Sequence, residues 1–190
     1  MSRVLSILAL AGLLGFSAAC APRAPARPDV FRDTYNGPYM LAAGDRVRVI
    51  VFGQDNLSNV YSITPAGQIA FPLIGDQKAV GLTTQALERQ LEQRLRAGFL
   101  REPKVAVEVD AFRPIFVLGE VVAAGQFPFV PGLTIYKAIA TAGGYTPRAQ
   151  ESTAEVTRLD PTCGCPLTAT VPVGYPMRPG DTITVKERYF

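Results

Sequence analysis

The chain has no histidine and no tryptophan among its 190 residues. Without histidine it lacks the commonest general base and the commonest metal ligand of proteins, and we expect neither a metal nor a cofactor. Lysine and arginine total 19 against 16 acidic residues, and they are spread along the chain. A nucleic-acid-binding protein needs a clustered basic patch, so nucleic acid is not an expected partner. Beyond the N-terminal segment, no apolar run is long enough to span a bilayer as a helix.

The N-terminal segment has the layout of a secretory signal peptide. Arg3 precedes an almost wholly apolar stretch, residues 4–16, and three small residues stand before Cys20. A cysteine at this place resembles the lipobox of bacterial lipoproteins, in which the thiol is acylated and the chain is cut in front of it. Ser17 stands where the lipobox usually has leucine, and Ser17-x-Ala19 also suits ordinary signal peptidase, which would leave Cys20 free. In either case we expect removal of residues 1–19 and export from the cytoplasm.

The other two cysteines form a Cys-Gly-Cys pair, Cys163 and Cys165, between two prolines. Outside the cytoplasm such a pair is exposed to oxidation. We expect, in this order, a local disulfide, bridges to a neighbouring subunit, or a redox role. Two thiolates without histidine fall short of the four ligands of a usual zinc site.

Residues 20–37 are rich in proline, alanine and arginine and predict an extended tether behind the anchoring cysteine. Residues 38–110 then predict a β-β-β-α-β domain. Its helix is indicated by Leu87, Leu91 and Leu95 at four-residue spacing after a Thr83 cap. Alternating segments predict strands over 46–52, 60–64, 68–72 and 105–109. The second and third of these are expected to pair as a hairpin through Pro65-Ala66-Gly67.

Residues 111–190 predict a second domain with the order β-β-α-β-β-β. Its helix starts at Thr134 and stops at Gly143-Gly144. A small mixed sheet crossed by one helix is the β-grasp pattern. The predicted fold class is therefore α+β, with two small mixed-sheet domains.

The two domains share a local sequence pattern. Gly44-Asp45 and Gly180-Asp181 each precede an alternating strand. Glycine permits a positive φ, and the aspartate can accept hydrogen bonds from nearby backbone amides. We interpret both pairs as structural turns rather than as catalytic carboxylates.

These motifs together resemble the polysaccharide biosynthesis/export domain of bacterial outer-membrane export lipoproteins. The first domain supplies Tyr39-Met40-Leu41-x-x-Gly44-Asp45, Ile63-x-x-x-Gly67-x-Ile69-x-x-Pro72-Leu73-Ile74-Gly75 and Pro103-x-Val105-x-Val107. The second domain resembles the soluble-ligand-binding β-grasp (SLBB) module that follows the export domain in those proteins. It supplies Val117-x-Gly119-Glu120-Val121, Gly125-x-Phe127, Thr134, Ala142-Gly143-Gly144 and Arg178-Pro179-Gly180-Asp181.

The resemblance implies a function in transport rather than catalysis. Members of that family form rings in the periplasm and pass capsular polysaccharide or exopolysaccharide outward, together with an inner-membrane co-polymerase. Longer members add a further β-grasp module and a C-terminal pore helix. This sequence stops at Phe190, so we expect a short form on the periplasmic face of the outer membrane, and a separate protein, such as a β-barrel, as the outer-membrane passage.

Several exposed positions have two interpretations. Tyr145 and Arg148 are candidates for contact with the polysaccharide, or are ordinary loop residues. The exposed sheet edges, and Arg46 and Arg48 on the solvent face of their strand, are candidates for ring contacts. Alternatively, the two charged residues protect the strand against aggregation.

Two competing functions follow from the same residues. A membrane-anchored module that binds a small soluble or saccharide ligand is the first alternative. A hydrolase using carboxylates such as Asp45 and Glu120 is the second, although no nucleophile motif or metal signature supports it.

Overall fold

The computed structural model describes residues 38–159 and 164–188. Within them the chain is α+β and has two hydrophobic cores that follow one another in sequence. The first core is built from buried residues between Leu41 and Val107. The second is built from buried residues between Ile115 and Val185. Each core has one α-helix packed on one side of a sheet.

The first core lies under a three-stranded antiparallel sheet with the order β2-β1-β5. Its strands are β1 (Arg46–Val51), β2 (Asn59–Ser62) and β5 (Val105–Ala111). Residues of β1 are alternately exposed and buried, so Arg46 and Arg48 lie on the outer face and the valines lie in the core. A period of two places successive side chains on opposite faces of a strand, which is why the alternating sequence gives a one-sided sheet.

The predicted hairpin between the second and third strands is wrong. Strand β3 (Gln68–Phe71) pairs instead with β4 (Gly75–Lys78), in a separate two-stranded ribbon. The turn before β3 does form, because Gly67 donates its N–H to the carbonyl of Thr64 at 2.8 Å. After that turn the chain leaves the first sheet, in which β2 stays as an outer strand with β1 as its neighbour.

Helix α1 (Thr84–Arg96) covers the first core with Leu87, Leu91 and Leu95. Its N-terminus is capped by the Thr83 hydroxyl, which accepts from the N–H of Ala86 at 3.2 Å. Two of its glutamates have a further role at the free edge of β5. Glu92 accepts from the N–H of Val105 at 3.1 Å, and Glu88 accepts from that of Val107 at 2.9 Å. The helix therefore closes this sheet edge to further strands.

The second domain has a five-stranded mixed sheet with the order β7-β6-β10-β8-β9. Its strands are β6 (Ile115–Gly119), β7 (Gly125–Phe127), β8 (Thr153–Leu159), β9 (Pro166–Pro172) and β10 (Thr182–Val185). The last strand runs parallel to β6 and antiparallel to β8. The C-terminal strand therefore lies in the middle of the sheet, and the domain closes only when residues 182–185 are in place.

Helix α2 (Ile135–Thr141) packs on one face of this sheet, with Ile135, Ala138 and Ile139 buried. The Thr134 hydroxyl caps it by accepting from the N–H of Lys137. The opposite face is open to solvent and carries several threonine hydroxyl groups. The side chains on it include Phe116, Leu118, Glu155, Thr157, Thr168, Thr170, Thr182 and Thr184.

Candidate functional site

The Gly-Asp turn of the first domain is closed by its own aspartate. Gly44 has a φ of +92°, in the left-handed region that favours glycine. Asp45 donates its N–H to the carbonyl of Ala42 at 3.1 Å, and its Oδ2 accepts from the N–H of Ala42 at 2.9 Å. Asp45 is fully buried. The turn therefore places a carboxylate inside the protein, immediately before β1.

The Gly-Asp turn of the second domain has the same hydrogen bonds. Gly180 has a φ of +82°. Asp181 donates to the carbonyl of Arg178 at 3.1 Å, and its Oδ2 accepts from the N–H of Arg178 at 2.8 Å. Asp181 is also fully buried. The two motifs that the sequence singled out are thus one local structure used twice, at the start of a strand in each domain.

Both turns contact the same interdomain linker, Phe112-Arg113-Pro114. The N–H of Arg113 donates to Asp45 Oδ1 at 2.9 Å. On the other side, the Nε of Arg113 donates to the carbonyl of Pro179 at 2.8 Å, and Gly180 donates its N–H to the carbonyl of Pro114 at 3.1 Å. The linker is therefore hydrogen-bonded to both domains at once, and we call this region the joint.

The glycine of the second turn is needed for the joint as well as for its own φ. A Cβ atom at Gly180 would lie 2.5 Å from Arg113 Nε, which is far inside van der Waals contact. At Gly44, the nearest atom to a Cβ would be Arg113 Cβ at 3.6 Å, an ordinary contact. The side chain of Arg113 thus lies directly against the backbone of the second turn.

Aromatic rings fill the space beside the linker. The rings of Tyr39 and Phe112 are edge-to-face with centroids 5.0 Å apart, and those of Phe112 and Phe129 are edge-to-face at 5.4 Å. Such pairs contribute about 0.5–1.5 kcal/mol each beyond the area that they bury. The hydroxyl of Tyr39 donates to Asp45 Oδ2 at 2.6 Å. Burial, and then this bond to a carboxylate, raise the pKa of Tyr39 well above its usual range. The joint is therefore packed as well as hydrogen-bonded.

Asp181 has a buried cation as its partner. Arg158 on β8 donates from Nε to Asp181 Oδ1 at 2.8 Å and from Nη2 to Oδ2 at 2.7 Å. Burial disfavours the charged form of Arg158, but the hydrogen bonds and the charge of Asp181 outweigh it and raise its pKa. The Arg158 side chain is only 11% exposed. A two-pronged contact of this kind holds the second turn against the sheet.

Sequence reasoning missed Arg113 and Arg158, of which only Arg158 left a signal in the sequence. Arg158 follows Ala154 and Val156 at a spacing of two, so it shares their inward-facing side of the strand. A charged residue at an inward position requires an opposite charge nearby. Arg113 lies in Phe-Arg-Pro between the two domains, but the sequence has no local signal for the turns that contact it.

The predicted contact residues Tyr145 and Arg148 lie in the loop after α2. Arg148 lies 3.2 Å from Glu187 and 3.6 Å from Glu120, and its side chain is 68% exposed. Glu120 also accepts from the hydroxyl of Thr146 at 2.5 Å. Tyr145 packs at the border of the second core, and burial raises its pKa. The charge of Arg148 is therefore exposed but shared with two carboxylates.

The remaining predicted glycines shape this domain. A Cβ at Gly119 would lie 2.1 Å from the carbonyl oxygen of Val185, so β6 and β10 can approach closely only with glycine there. Gly143 and Gly144 both have positive φ values and end α2, with the N–H of Gly144 bonded to the carbonyl of Ile139 at 2.9 Å.

Of the three cysteines, only Cys165 lies among the described residues. Cys165 is disulfide-bonded. Cys163 and the predicted lipidation site Cys20 lie outside the described residues. The Cys163–Cys165 bridge and the lipid anchor therefore stay predictions.

The carboxylates of the proposed hydrolase, Asp45 and Glu120, each have their own partners. Asp45 accepts from three donors in the joint, and Glu120 interacts with Thr146 and Arg148. Residues 38–159 and 164–188 contain no group of three or more acidic or cysteine side chains placed to hold a metal ion. In the same part of the chain, no helix is long and apolar enough to cross a membrane.

The sequence matches two known family models in order. Residues 33–110 match the family described as polysaccharide biosynthesis/export protein, and residues 114–169 match the SLBB domain. The chain is also 34% identical over 90 residues to the exopolysaccharide production protein ExoF of Rhizobium meliloti (strain 1021). That alignment covers 46% of this chain and 21% of the relative, so the chain spans about a fifth of that protein's length. The chain therefore contains an export domain of the polysaccharide biosynthesis/export type, followed by an SLBB domain.

Proposed function

We propose that this chain is a periplasmic subunit of a conduit that exports exopolysaccharide or capsular polysaccharide, anchored to the outer membrane through Cys20. It acts by assembling into a ring with copies of itself rather than by catalysis. The observation that carries this proposal is the joint, in which Asp45, Arg113 and Pro179 connect both domains to one linker. A ring closes only if every subunit presents its contact faces at a fixed angle, so a rigid two-domain subunit suits this role.

The proposed ring contacts use sheet faces rather than sheet edges. Glu88 and Glu92 occupy the outer edge of β5, and β9 begins and ends with proline. Prolines and covered edges disfavour the addition of another strand. The other two outer strands, β2 and β7, are only four and three residues long, and short edge strands are poor templates for pairing. Two open sheet faces are therefore our candidates for the two different surfaces that a ring contact needs. One carries Arg46, Arg48 and Asp110, and the other carries Phe116 and Leu118.

We further propose that Tyr145 and Arg148 contact the polysaccharide in transit. Arg148 is exposed, and its charge is partly balanced by Glu120 and Glu187. A cation that already has partners binds an acidic sugar weakly and reversibly, as a sliding polymer requires. An inner-membrane co-polymerase is the expected partner that supplies the polymer. The name of the relative ExoF, an exopolysaccharide production protein, supports polysaccharide as the cargo.

The test combines a gene deletion with assembly of the purified protein. Deletion is expected to abolish surface or secreted polysaccharide, and the wild-type chain is expected to restore it and to form rings in electron micrographs. Phe112→Ala with Arg113→Ala should leave both domains folded, as judged by circular dichroism, but should reduce ring formation and polysaccharide output. As the control, Tyr136→Ala with Lys137→Ala removes an aromatic and a cationic residue from the surface of α2. This variant should leave ring formation and polysaccharide output unchanged.

Other outcomes would point to other functions. A chain that stays monomeric at every concentration, in cells whose polysaccharide is normal after the deletion, contradicts the conduit. Saturable binding of a small ligand to that monomer favours the binding module. Its site would then be sought in the groove of about 660 Å³ near Tyr39, Thr83 and Glu108. Enzymatic turnover that one substitution at Asp45 or Glu120 abolishes favours the hydrolase.

A further inference from the structure

The export domain has a free end that the SLBB domain does not cover. The joint lies at the start of β1, beside Asp45. The six residues of β1 run away from it for roughly 20 Å at about 3.3 Å per residue. At the far end, Phe52 donates its N–H to the carbonyl of Lys104 at 3.0 Å. Helix α1 ends on the same side, because the short segment 97–104 connects it to the start of β5.

This end exposes two phenyl rings among cations. Phe52 is 64% exposed and Phe99 is 52% exposed. Arg96 and Arg101 line a shallow groove of about 230 Å³ together with Phe99. We call Phe52, Arg96, Phe99, Arg101 and Lys104 the distal tip. Residues 94–104 contain four cations, those of the tip and Arg94, against the single carboxylate of Glu102.

The cations of the tip differ from five others in the chain, each of which is paired with a carboxylate. Arg46, Arg48, Arg148, Arg158 and Lys186 all lie within ion-pair distance of carboxylates. Among the residues described, Arg96, Arg101 and Lys104 have no carboxylate within 4.0 Å. Arg96 lies in the last turn of α1, where the helix dipole stabilises a cation without a carboxylate partner. The helix dipole does not account for the unpaired cations Arg101 and Lys104 or for the exposure of the two phenyl rings.

We propose that the distal tip is a membrane-contact surface, which places its two phenyl rings and its cations on anionic phospholipid headgroups. Aromatic rings partition to the membrane interface, and cations are attracted to anionic headgroups. The tip offers both on loops at a free end of the molecule. An acidic polysaccharide is the competing ligand, but the groove beside Phe99 is small against the 300–1,000 Å³ of typical ligand sites. This inference does not depend on ring assembly or on acylation of Cys20.

The absence of tryptophan from the chain provides a direct test. Phe99→Trp places a single indole at the tip of the full-length chain, so all tryptophan emission comes from that site. The probe is vesicles of phosphatidylcholine alone or mixed with phosphatidylglycerol. We expect a blue shift, and quenching by brominated lipid, that are much larger with the anionic vesicles. An N-terminal anchor inserts in both kinds of vesicle, so the difference between them reports the tip.

Two control variants make the test specific. Tyr136→Trp places the indole on the exposed surface of α2 and should respond equally to both vesicles. Arg96→Gln, Arg101→Gln and Lys104→Gln, added to Phe99→Trp, should lower the ratio of membrane-bound to free tip about 100-fold, at on the order of fivefold per cation. The same change at Lys78, Lys137 and Arg188 should leave that ratio nearly unchanged.

Three results would overturn the proposal. The first is an indole at position 99 that responds equally to neutral and anionic vesicles, or to neither. The second is an indole at position 136 that prefers anionic over neutral vesicles as strongly as the indole at position 99 does. The third is a shift caused by an acidic polysaccharide such as alginate and not by vesicles, which would assign the tip to a sugar polymer. Failure of the tip to bind vesicles leaves ring assembly and polysaccharide output unaffected, so the two proposals fail separately.

Discussion

The two Gly-Asp turns have the same backbone hydrogen bonds but different partners. In the export domain, Asp45 accepts from neutral donors, the hydroxyl of Tyr39 and two backbone N–H groups. In the SLBB domain, Asp181 accepts from the guanidinium of Arg158 and one backbone N–H. One carboxylate therefore joins two domains through the linker, and the other holds a turn against its own sheet.

This difference shows that the motif determines the turn and the surroundings determine its use. Four residues with glycine third and aspartate fourth are enough to close the turn in both domains. A buried carboxylate then needs donors, and each domain supplies those that its neighbouring elements offer. Substitutions at the two turns should therefore differ in how much stability they remove and in the contacts that are lost.

The largest effect is expected from Asp181→Asn. It leaves the cation of Arg158 buried with a neutral partner, and breaking a buried ion pair costs about 3–5 kcal/mol of the free energy of unfolding. Urea denaturation measures this loss. Arg158→Met combined with Asp181→Asn should recover much of it, because the buried charge is then gone. Equal losses in the single and the double variant would show that the pair is not the cause.

The next largest loss of stability is expected from substitution of the two turn glycines. Gly44→Ala and Gly180→Ala both force alanine into the left-handed region, at a cost of about 1–2 kcal/mol. Gly180→Ala should cost about 1 kcal/mol more, because the new Cβ displaces the Arg113 side chain and breaks its bond to Pro179. With Arg113→Ala as background, the two alanine variants should become equally costly. A difference that persists there would contradict the role of Arg113.

A loss of about 2 kcal/mol in unfolding free energy, smaller than those at Asp181 and Gly180, is expected from Asp45→Asn. The amide keeps one acceptor oxygen but turns an NH2 group toward donors, and hydrogen bonds to a charged group are worth about 1.5–3 kcal/mol. No buried cation is left behind, which is why the loss is smaller than at Asp181. Chymotrypsin cleavage after Phe112 should also become faster, since the linker loses its bond to the export domain. Unchanged cleavage would indicate that the aromatic rings alone hold the joint.

Much of this fold could be predicted from local sequence patterns. Alternating valines predicted strands of the first sheet, and the capping threonines predicted where both helices start. The Gly-Asp turns were also predicted, because glycine and aspartate act within four residues. The pairing of β3 with β4 was not predicted, since which strand pairs with which depends on contacts distant in sequence.

The joint could not be predicted for the same reason. Asp45 and Arg113 are 68 residues apart in sequence, and Arg113 and Pro179 are 66 apart. No periodicity or spacing connects such positions in a single sequence. The alternation of β8 predicts that Arg158 faces inward, but its partner Asp181 lies 23 residues later, in the turn before β10.

The smallest effect concerns Tyr39, which links the Asp45 turn to the aromatic rings. Tyr39→Phe keeps the ring and removes one hydrogen bond, at a cost of about 1 kcal/mol near neutral pH. Because the folded protein raises the pKa of Tyr39 above its usual 10.0, the unfolded chain ionises first. The stability that Tyr39 contributes is thus present below pH 10 and declines as the pH rises above it. The difference in unfolding free energy between wild type and Tyr39→Phe should shrink between pH 9 and pH 11. A constant difference across that range would mean that the Tyr39 hydroxyl is not held by Asp45 in the folded protein.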